Sequence, residues 1–244
     1  MTDLKRDNLF ARPLGKTPKF VFDQAVVEVF PDMIQRSIPG YQTIINHSGE
    51  LADRFVQTDS HCYDLGCSLG ASTLAIRDRI EGRGATIYAV DNSAPMLDKC
   101  ASILSSQPSS TTTKLINSDI CEVQISNASL VVLNFTLQFV PLEQRSALIS
   151  NIYHGLNPNG CLVISEKLHF EPEALNRLLN ELHHQFKREQ GYSDLEISQK
   201  RDSIEEVLVP ETLGTHIERL QSCGFKTASP WFQCYNFGSL VAIK

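Results

Sequence analysis

Residues 128–136 read Ala-Ser-Leu-Val-Val-Leu-Asn-Phe-Thr, and this nearly unbroken apolar run narrows the fold more than any other segment. A strand with one wet face alternates apolar and polar side chains. A strand apolar throughout is buried on both faces, as in a parallel sheet covered by helices. Its surroundings fit. Strands are predicted at 61–65 (HCYDL), 85–90 (ATIYAV), 113–117 and 160–165, and helices at 68–80 and 141–155. A further helix begins after Ser93, a good N-cap, with Pro95 in its first turn. Gly155 and Pro158 end the helix at 141–155. This β–α alternation predicts a doubly wound, mostly parallel sheet.

The flanks qualify that picture. Residues 1–20 are polar, carry Pro13, Gly15 and Pro18, and read as a loose arm. Apolar residues at helical spacing from Phe22 to Val56 predict two helices, punctuated by Pro31 and Pro39-Gly40. Residues 171–208 break the alternation with two charged helices split by Gly191. The first carries Leu175, Leu178, Leu179, Leu182 and Phe186 on one stripe. A helix at 212–223 stops at Gly224. Strands at 225–232 and 234–243 follow with no room for a helix between them, which makes an antiparallel hairpin. A sheet of this kind that ends in a hairpin is typical of the Rossmann-like class I S-adenosylmethionine-dependent methyltransferase fold. The expectation is one domain over 1–244: N-terminal arm and helices (1–57), a cofactor-binding half (58–170), a helical insertion (171–208), and a C-terminal helix and hairpin (209–244).

Composition removes other classes. Hydrophobic residues are 42% and charged residues 20%, enough for a core and against disorder. Lys plus Arg number 22 against 28 Asp plus Glu, a net charge of −6, so there is no general basic surplus for gripping nucleic acid. Seven cysteines, an odd number with no C-x-x-C pair, suggest neither a disulfide framework nor a zinc ribbon, and point to a reducing cytoplasm. The first residues lack the apolar segment of a signal peptide, and no apolar run is long enough to span a bilayer. His183-His184 has no i, i+4 partner to complete a metal site and reads as solvated or interfacial.

In an open α/β sheet the ligand lies beyond the carboxyl ends of the strands. After the first strand stands Gly66-Cys67-Ser68-Leu69-Gly70. Glycine admits a ligand close to the backbone. Ser68, where a dinucleotide fingerprint needs its second glycine, disfavours a pyrophosphate. Asp91 ends the second strand and can take both ribose hydroxyls or cap the next helix. Asp119 and Ile120 follow the third strand and suit an adenine amino group and ring. Asn134 ends the fourth and can offer its carbonyl to an ammonium or sulfonium. The N-P-P-Y of many N-methyltransferases is missing there. Phe135 and Phe139 read as core. Gly66-x-Ser68-x-Gly70 also matches the nucleophile elbow of serine hydrolases, with Asp119 and His216 in chain order as acid and base. That alternative leaves Asp64 and Asp91 unexplained, and no glycine-rich oxyanion loop precedes the motif.

The runs Val29-Phe30-Pro31-Asp32-Met33-Ile34-Gln35-Arg36-Ser37, Tyr63-Asp64-Leu65-Gly66-Cys67-Ser68-Leu69-Gly70 and Val131-Val132-Leu133-Asn134-Phe135-Thr136-Leu137-Gln138-Phe139 closely resemble the bacterial carboxy-S-adenosyl-L-methionine synthases, as do Glu196-Ile197-Ser198-Gln199-Lys200-Arg201 and Trp231-Phe232-Gln233-Cys234. The likeness runs from about Asp7 to Lys244. It implies conversion of S-adenosyl-L-methionine and prephenate to carboxy-S-adenosyl-L-methionine and phenylpyruvate. It also implies a second enzyme that uses the product to carboxymethylate a tRNA wobble uridine, with no direct nucleic-acid contact here, and a cytoplasmic homodimer. Residue by residue it places Tyr41, Gly66, Cys67 and Ser68 at the methionine, Asp91 and Asn92 at the ribose, and Asp119 and Ile120 at the adenine. Asn134 would stand near the amino-acid end and Arg201 at the carboxylate of the product. An ordinary small-molecule methyltransferase would carry the same cofactor residues.

Overall fold

The computed structural model describes residues 5–204 and 207–244. Residues 1–4 of the predicted arm and 205–206 of the predicted insertion lie outside the described residues. Two helices come first, α1 (Gln24–Ser37) and α2 (Tyr41–Phe55). The sheet segment follows as β1 (His61–Leu65), α3 (Ala71–Arg77), β2 (Thr86–Asp91), α4 (Ala94–Ser105), β3 (Thr112–Asn117) and β4 (Ala128–Asn134). Then come a 3-10 turn at Leu137–Phe139, α5 (Leu142–Gly155) and β5 (Leu156–Lys167). The insertion supplies α6 (Glu173–Glu189) and α7 (Asp194–Ile204), and the chain closes with α8 (Leu213–Ser222), β6 (Thr227–Cys234) and β7 (Phe237–Ile243).

The seven strands lie in the order β3-β2-β1-β4-β5-β7-β6. The first five are mutually parallel; β7 runs antiparallel between β5 and β6. The predicted fold class is therefore observed, terminal hairpin included. The run at 128–134 is the central strand, and its alternate side chains serve two cores. Val131 and Leu133 pack with Leu148, Ile149 and Ile152 of α5 and Leu220 of α8. Leu130 and Val132 pack with Ala52 of α2 and Ile76 of α3. Fully burying a side chain of this size contributes about 1.5–3 kcal/mol, so the layered core is the main source of stability.

Four expectations need correction. The helix predicted at 68–80 is shorter, because residues 66–70 form a turn and Gly70, at φ +83°, starts α3 from the left-handed region. The fifth strand is longer than 160–165. Leu156 already pairs with Ala128, and an irregularity takes up Asn157–Gly160 before Leu130 pairs with Cys161. The N-terminal arm is not loose over its described part. Phe10 and Phe20 are buried with Val26, Met33 and Met96. Gln199 holds the arm to α7: its Nε2 donates to the carbonyls of Phe10 and Arg12 (both 2.9 Å), and its Oε1 accepts from Leu14 N–H (2.6 Å). Finally, His183, read as solvated or interfacial, is buried: α6 turns His183 and Lys187 inward, while Leu175, Leu178 and Leu182 of its apolar stripe are exposed.

His216 of α8 is buried with neither ring nitrogen hydrogen-bonded, and burial lowers its pKa to about 4. The unfolded chain, near 6.5, binds the proton first as pH falls. Stability present above pH 6.5 is thus lost as pH falls from 6.5 toward 4, by up to about 3 kcal/mol from this group. His216→Leu is expected to be at least as stable as the parent at pH 7 and to show a shallower loss of melting temperature between pH 6.5 and 4. An unchanged slope would contradict this account.

Candidate functional site

The chain leaves β1 outward through β2 and β3, then crosses to β4 on the other side, so the loops after β1 and β4 diverge. A crevice opens at such a switch point. Here it is a cavity of about 450 Å3, roofed by α1, the arm and the insertion helices. The structure places all ten sequence-predicted site residues in its wall: Tyr41, Gly66, Cys67, Ser68, Asp91, Asn92, Asp119, Ile120, Asn134 and Arg201.

Local chemistry explains their positions. Gly66 has φ +82°, and a Cβ there would meet the Thr136 hydroxyl oxygen at 2.3 Å, so only glycine lets the β1 and β4 loops approach this closely. Ser68 (φ +50°) and Phe135 (φ +61°) also sit in the left-handed region, one beyond each central strand. Strained backbone of this sort clusters at ligand sites. Asp91 joins two loops: Oδ2 accepts from Ser68 N–H and Oδ1 from Ser93 N–H, both at 2.9 Å. It does not cap α4. Ser93 does, with its Oγ accepting from Met96 N–H at 3.3 Å. Burial raises the Asp91 pKa, opposed by those N–H groups. Each Asp91 oxygen keeps a second lone pair for a pair of hydroxyls.

Asp119 Oδ1 accepts from Cys121 N–H at 2.8 Å and is exposed, with buried Ile120 beside it. The Asn134 amide is spent internally. Its Nδ2 donates to Ser72 (2.9 Å) and Ser48 (3.1 Å), while Oδ1 accepts from Ser165 (2.7 Å). One lone pair of Oδ1 remains to face a cation. Desolvation holds the Tyr41 phenol well above its ordinary pKa, next to Phe135 with ring centroids 6.2 Å apart. These groups fit an adenosyl ligand: acceptors for the hydroxyls, an apolar flank for the base, and a partly negative carbonyl for a sulfonium.

The opposite wall is basic, and apart from Arg201 the sequence did not reveal it. Lys167, Lys187 and Lys200 line the cavity with Arg201, His183 and His184. Lys200 reaches Ser37 Oγ (3.2 Å) and Asp7 Oδ2 (3.6 Å). Burial lowers its pKa to about 8 and that of Lys187 to about 7. His183 Nε2 lies 2.8 Å from the Ser37 carbonyl, which can only accept, so Nε2 carries the proton. Burial lowers its pKa to about 3 and keeps the ring neutral, in place of the solvated or interfacial position expected for it. Phe139, read as core, and Phe135 both face the cavity as well as their apolar neighbours. Charged residues default to solvent in any reading of one sequence; only the i, i+4 spacing of His183 and Lys187 hinted at a shared face.

The hydrolase alternative fails on geometry. Ser68 Oγ donates to the Met96 sulfur at 3.4 Å. His216 is buried in α8 away from the cavity wall, with no partner on either nitrogen. Cys67, paired with the buried Cys100 thiol, is held far above ordinary thiol pKa values by that contact and by burial, so it is no nucleophile.

Comparison with known proteins gives concordant results. Residues 63–160 match a family model described as a methyltransferase domain. The carboxy-S-adenosyl-L-methionine synthase of Pasteurella multocida is 53% identical over 99% of this chain and 100% of its own length. That of Trichlorobacter lovleyi is 56% identical over 98% and 99%. Among solved structures, human N-acetylserotonin methyltransferase in complex with SAM superposes with a TM-score of 0.61 at 16% identity, over 99% of this chain and 63% of that one. At such identity the last likeness concerns the fold alone.

Gly66→Ala is expected to destabilise the protein by at least about 1–2 kcal/mol, the cost of a left-handed alanine, before any displacement of Thr136. Gly15→Ala, at a site with nothing within 4 Å, serves as the control and is expected to be neutral. Urea denaturation measures both. Equal stability of the two variants would refute the close-approach role of Gly66.

Proposed function

Since the chain belongs to the family of carboxy-S-adenosyl-L-methionine synthases, we propose that it converts S-adenosyl-L-methionine and prephenate into carboxy-S-adenosyl-L-methionine and phenylpyruvate. The observation that carries this reading is the polarity of the cavity. Carboxylates Asp91 and Asp119 stand at one end, and Lys167, Lys187, Lys200 and Arg201 at the other. A cavity that held only S-adenosylmethionine and a neutral acceptor would gain nothing from burying Lys187 and Lys200 beside Lys167 and Arg201, because burial of a cation carries a desolvation cost. A second substrate with two carboxylates explains them.

The reaction balances without a metal or a redox partner. Prephenate loses its ring carboxyl carbon and its ring hydroxyl and becomes aromatic. The carbon joins the sulfonium methyl, and the proton that methyl gives up leaves with the hydroxyl as water. Aromatisation supplies the driving force, so the protein's tasks are placement and exclusion of water. Asp91 would hold the ribose, Asn92 beside it. Asp119 and Ile120 would hold the adenine; Tyr41, Gly66, Cys67 and Ser68 would hold the methionine part. Asn134 would turn its remaining lone pair toward the sulfonium region. Arg201 would receive the new carboxylate in a two-pronged contact.

The same reading extends to the surroundings. A net charge of −6 suits an enzyme of small anions whose product goes to a separate tRNA carboxymethyltransferase for wobble uridine modification. No described helix is long and apolar enough to cross a membrane, which agrees with a cytoplasmic role. The outward leucine stripe of α6, Leu175, Leu178 and Leu182, suits the interface of a homodimer.

Incubation with S-adenosylmethionine and prephenate is expected to yield, by mass spectrometry, a product heavier than S-adenosylmethionine by one carbon dioxide. S-adenosylhomocysteine as the only product would return the ordinary methyltransferase. Arg201→Ala is expected to bind S-adenosylmethionine normally and to lose affinity for the carboxylated product by roughly 1.5–3 kcal/mol, the range for a hydrogen bond to a charged group. Equal weakening of both ligands in calorimetry would remove that role from Arg201.

A further inference from the structure

The inverted helix α6 presents one side chain that the assignments above leave unused. Lys187 lies one turn beyond His183 on the inward face and is 6% exposed. Among the described residues its amine makes no ion pair or hydrogen bond, although Asp7 and Glu196 act on it from farther away; its near neighbour is the face of Tyr192, 5.3 Å from the ring centroid. The other buried cations nearby are provided for. Lys200 has Ser37 and Asp7, and Arg36 has Asp32, the Asp7 carbonyl and the Gln190 carbonyl. Lys187 forms part of the cavity wall. An amine desolvated to this degree with no anion in contact is poorly compensated until one arrives.

Its surroundings indicate which anion. Lys187, Lys167 and Arg201 all bear on His184, whose pKa is lowered first by burial and then by those three in turn. The group therefore gathers about one point on the insertion side, across the cavity from Asp91 and Asp119. A carboxyl group that must depart as neutral carbon dioxide should not be paired tightly with a cation, since that pairing stabilises the ground state and raises the barrier. The donor's other carboxylate, unchanged by the reaction, has no such restriction. We infer that Lys187 binds the carboxylate that the carboxyl donor keeps, the 2-oxo acid end that survives in the product, and so selects for 2-oxo dicarboxylate donors. This rests on the donor reading of the preceding subsection.

The pH dependence has a definite sign. The groups facing Lys187 are His183 and His184 on its own helix, Lys167 on β5, Lys200 and Glu196 on α7, and Asp7 and Tyr192 from the arm and the loop after α6. Burial, and then Lys200 and Lys167, bring its pKa to about 7 against the opposing pull of Asp7 and Glu196. A carboxylate that pairs with it favours the ammonium form, so donor affinity falls as pH rises above about 7.

The test is calorimetric titration of prephenate, and separately of phenylpyruvate, into protein saturated with S-adenosylhomocysteine, which has no methyl group to react. Lys187→Met keeps the length and packing of the side chain; Lys187→Arg keeps the charge. The inference expects Lys187→Met to weaken both anions at least tenfold with S-adenosylhomocysteine affinity within twofold of the parent. It expects Lys187→Arg to recover most of that loss, and the parent's donor affinity to decline above pH 7 more than the Met variant's. Unchanged binding of either anion, or S-adenosylhomocysteine weakened as much as the donor, would overturn it. Lys187-dependent anion binding without any carboxylated product would keep the subsite and defeat the reaction. Turnover with donor binding indifferent to Lys187→Met would do the reverse. A parent protein that neither binds nor consumes prephenate would defeat both.

Discussion

Parallel strands stop in loops whose amide groups have no partner in the ladder, and a buried N–H without an acceptor is costly. In this protein two buried or half-buried carboxyl groups supply the acceptors. Asp91 takes the N–H groups of Ser68 and Ser93; Glu166 takes those of Leu137 (2.9 Å) and Gln138 (3.0 Å). Everything at the mouth of the sheet depends on these pairs. The first fixes the β1 loop against the start of α4, and the second fixes the turn after β4 against β5. Between them they hold open the crevice that the strand order creates. Gly66 then sets how close its two sides come, because Thr136 fills the space where a side chain would be.

The insertion is anchored to this frame through buried arginine and carboxylate contacts. Arg145 of α5 is fully buried and donates to the carbonyls of Val140, Gln138 and Val209. It also pairs with Glu211, which Arg219 meets from α8. The segment that leaves α7 is thereby tied to the turn after β4. Removing one member of such a buried ion pair costs far more than the pair gains relative to an apolar core, which points to placement as its role.

Much of this was legible in the sequence, for identifiable reasons. The run at 128–134 has only one stable environment, and the absence of a helix between the last two strands forces a hairpin. Polar residues placed just after apolar strands marked one cavity wall: a lone Asp or Asn in such a loop is common, and its recurrence at successive strand ends carried the signal. The basic wall was illegible because an apolar stripe is normally read as the inward one. In α6 Leu175, Leu178 and Leu182 face outward and Lys187 inward, toward the cavity. The arm was misread for a similar reason. Its proline- and glycine-containing sequence has no periodicity, and its order comes from partners such as Gln199 and Ser203 far along the chain, the latter accepting from Phe20 N–H through its carbonyl. Local pattern carries no trace of such contacts.

That distant pairing bears on how the molecule is made. The Tyr192 hydroxyl donates to Asp7 across 185 residues of sequence, and Lys200 meets the same carboxylate. During synthesis the arm leaves the ribosome first; α1 can meet it early, but its anchors in α7 and at Tyr192 emerge only when most of the polypeptide is out. A contact of such sequence separation closes late, because the entropy of the long loop must be overcome before it is rewarded. The nascent sheet can be covered by α2, α3 and α5 while the ligand chamber still lacks the insertion part of its roof. Competence to hold substrates is in this sense an end-of-translation event, separate in time from the formation of the scaffold itself.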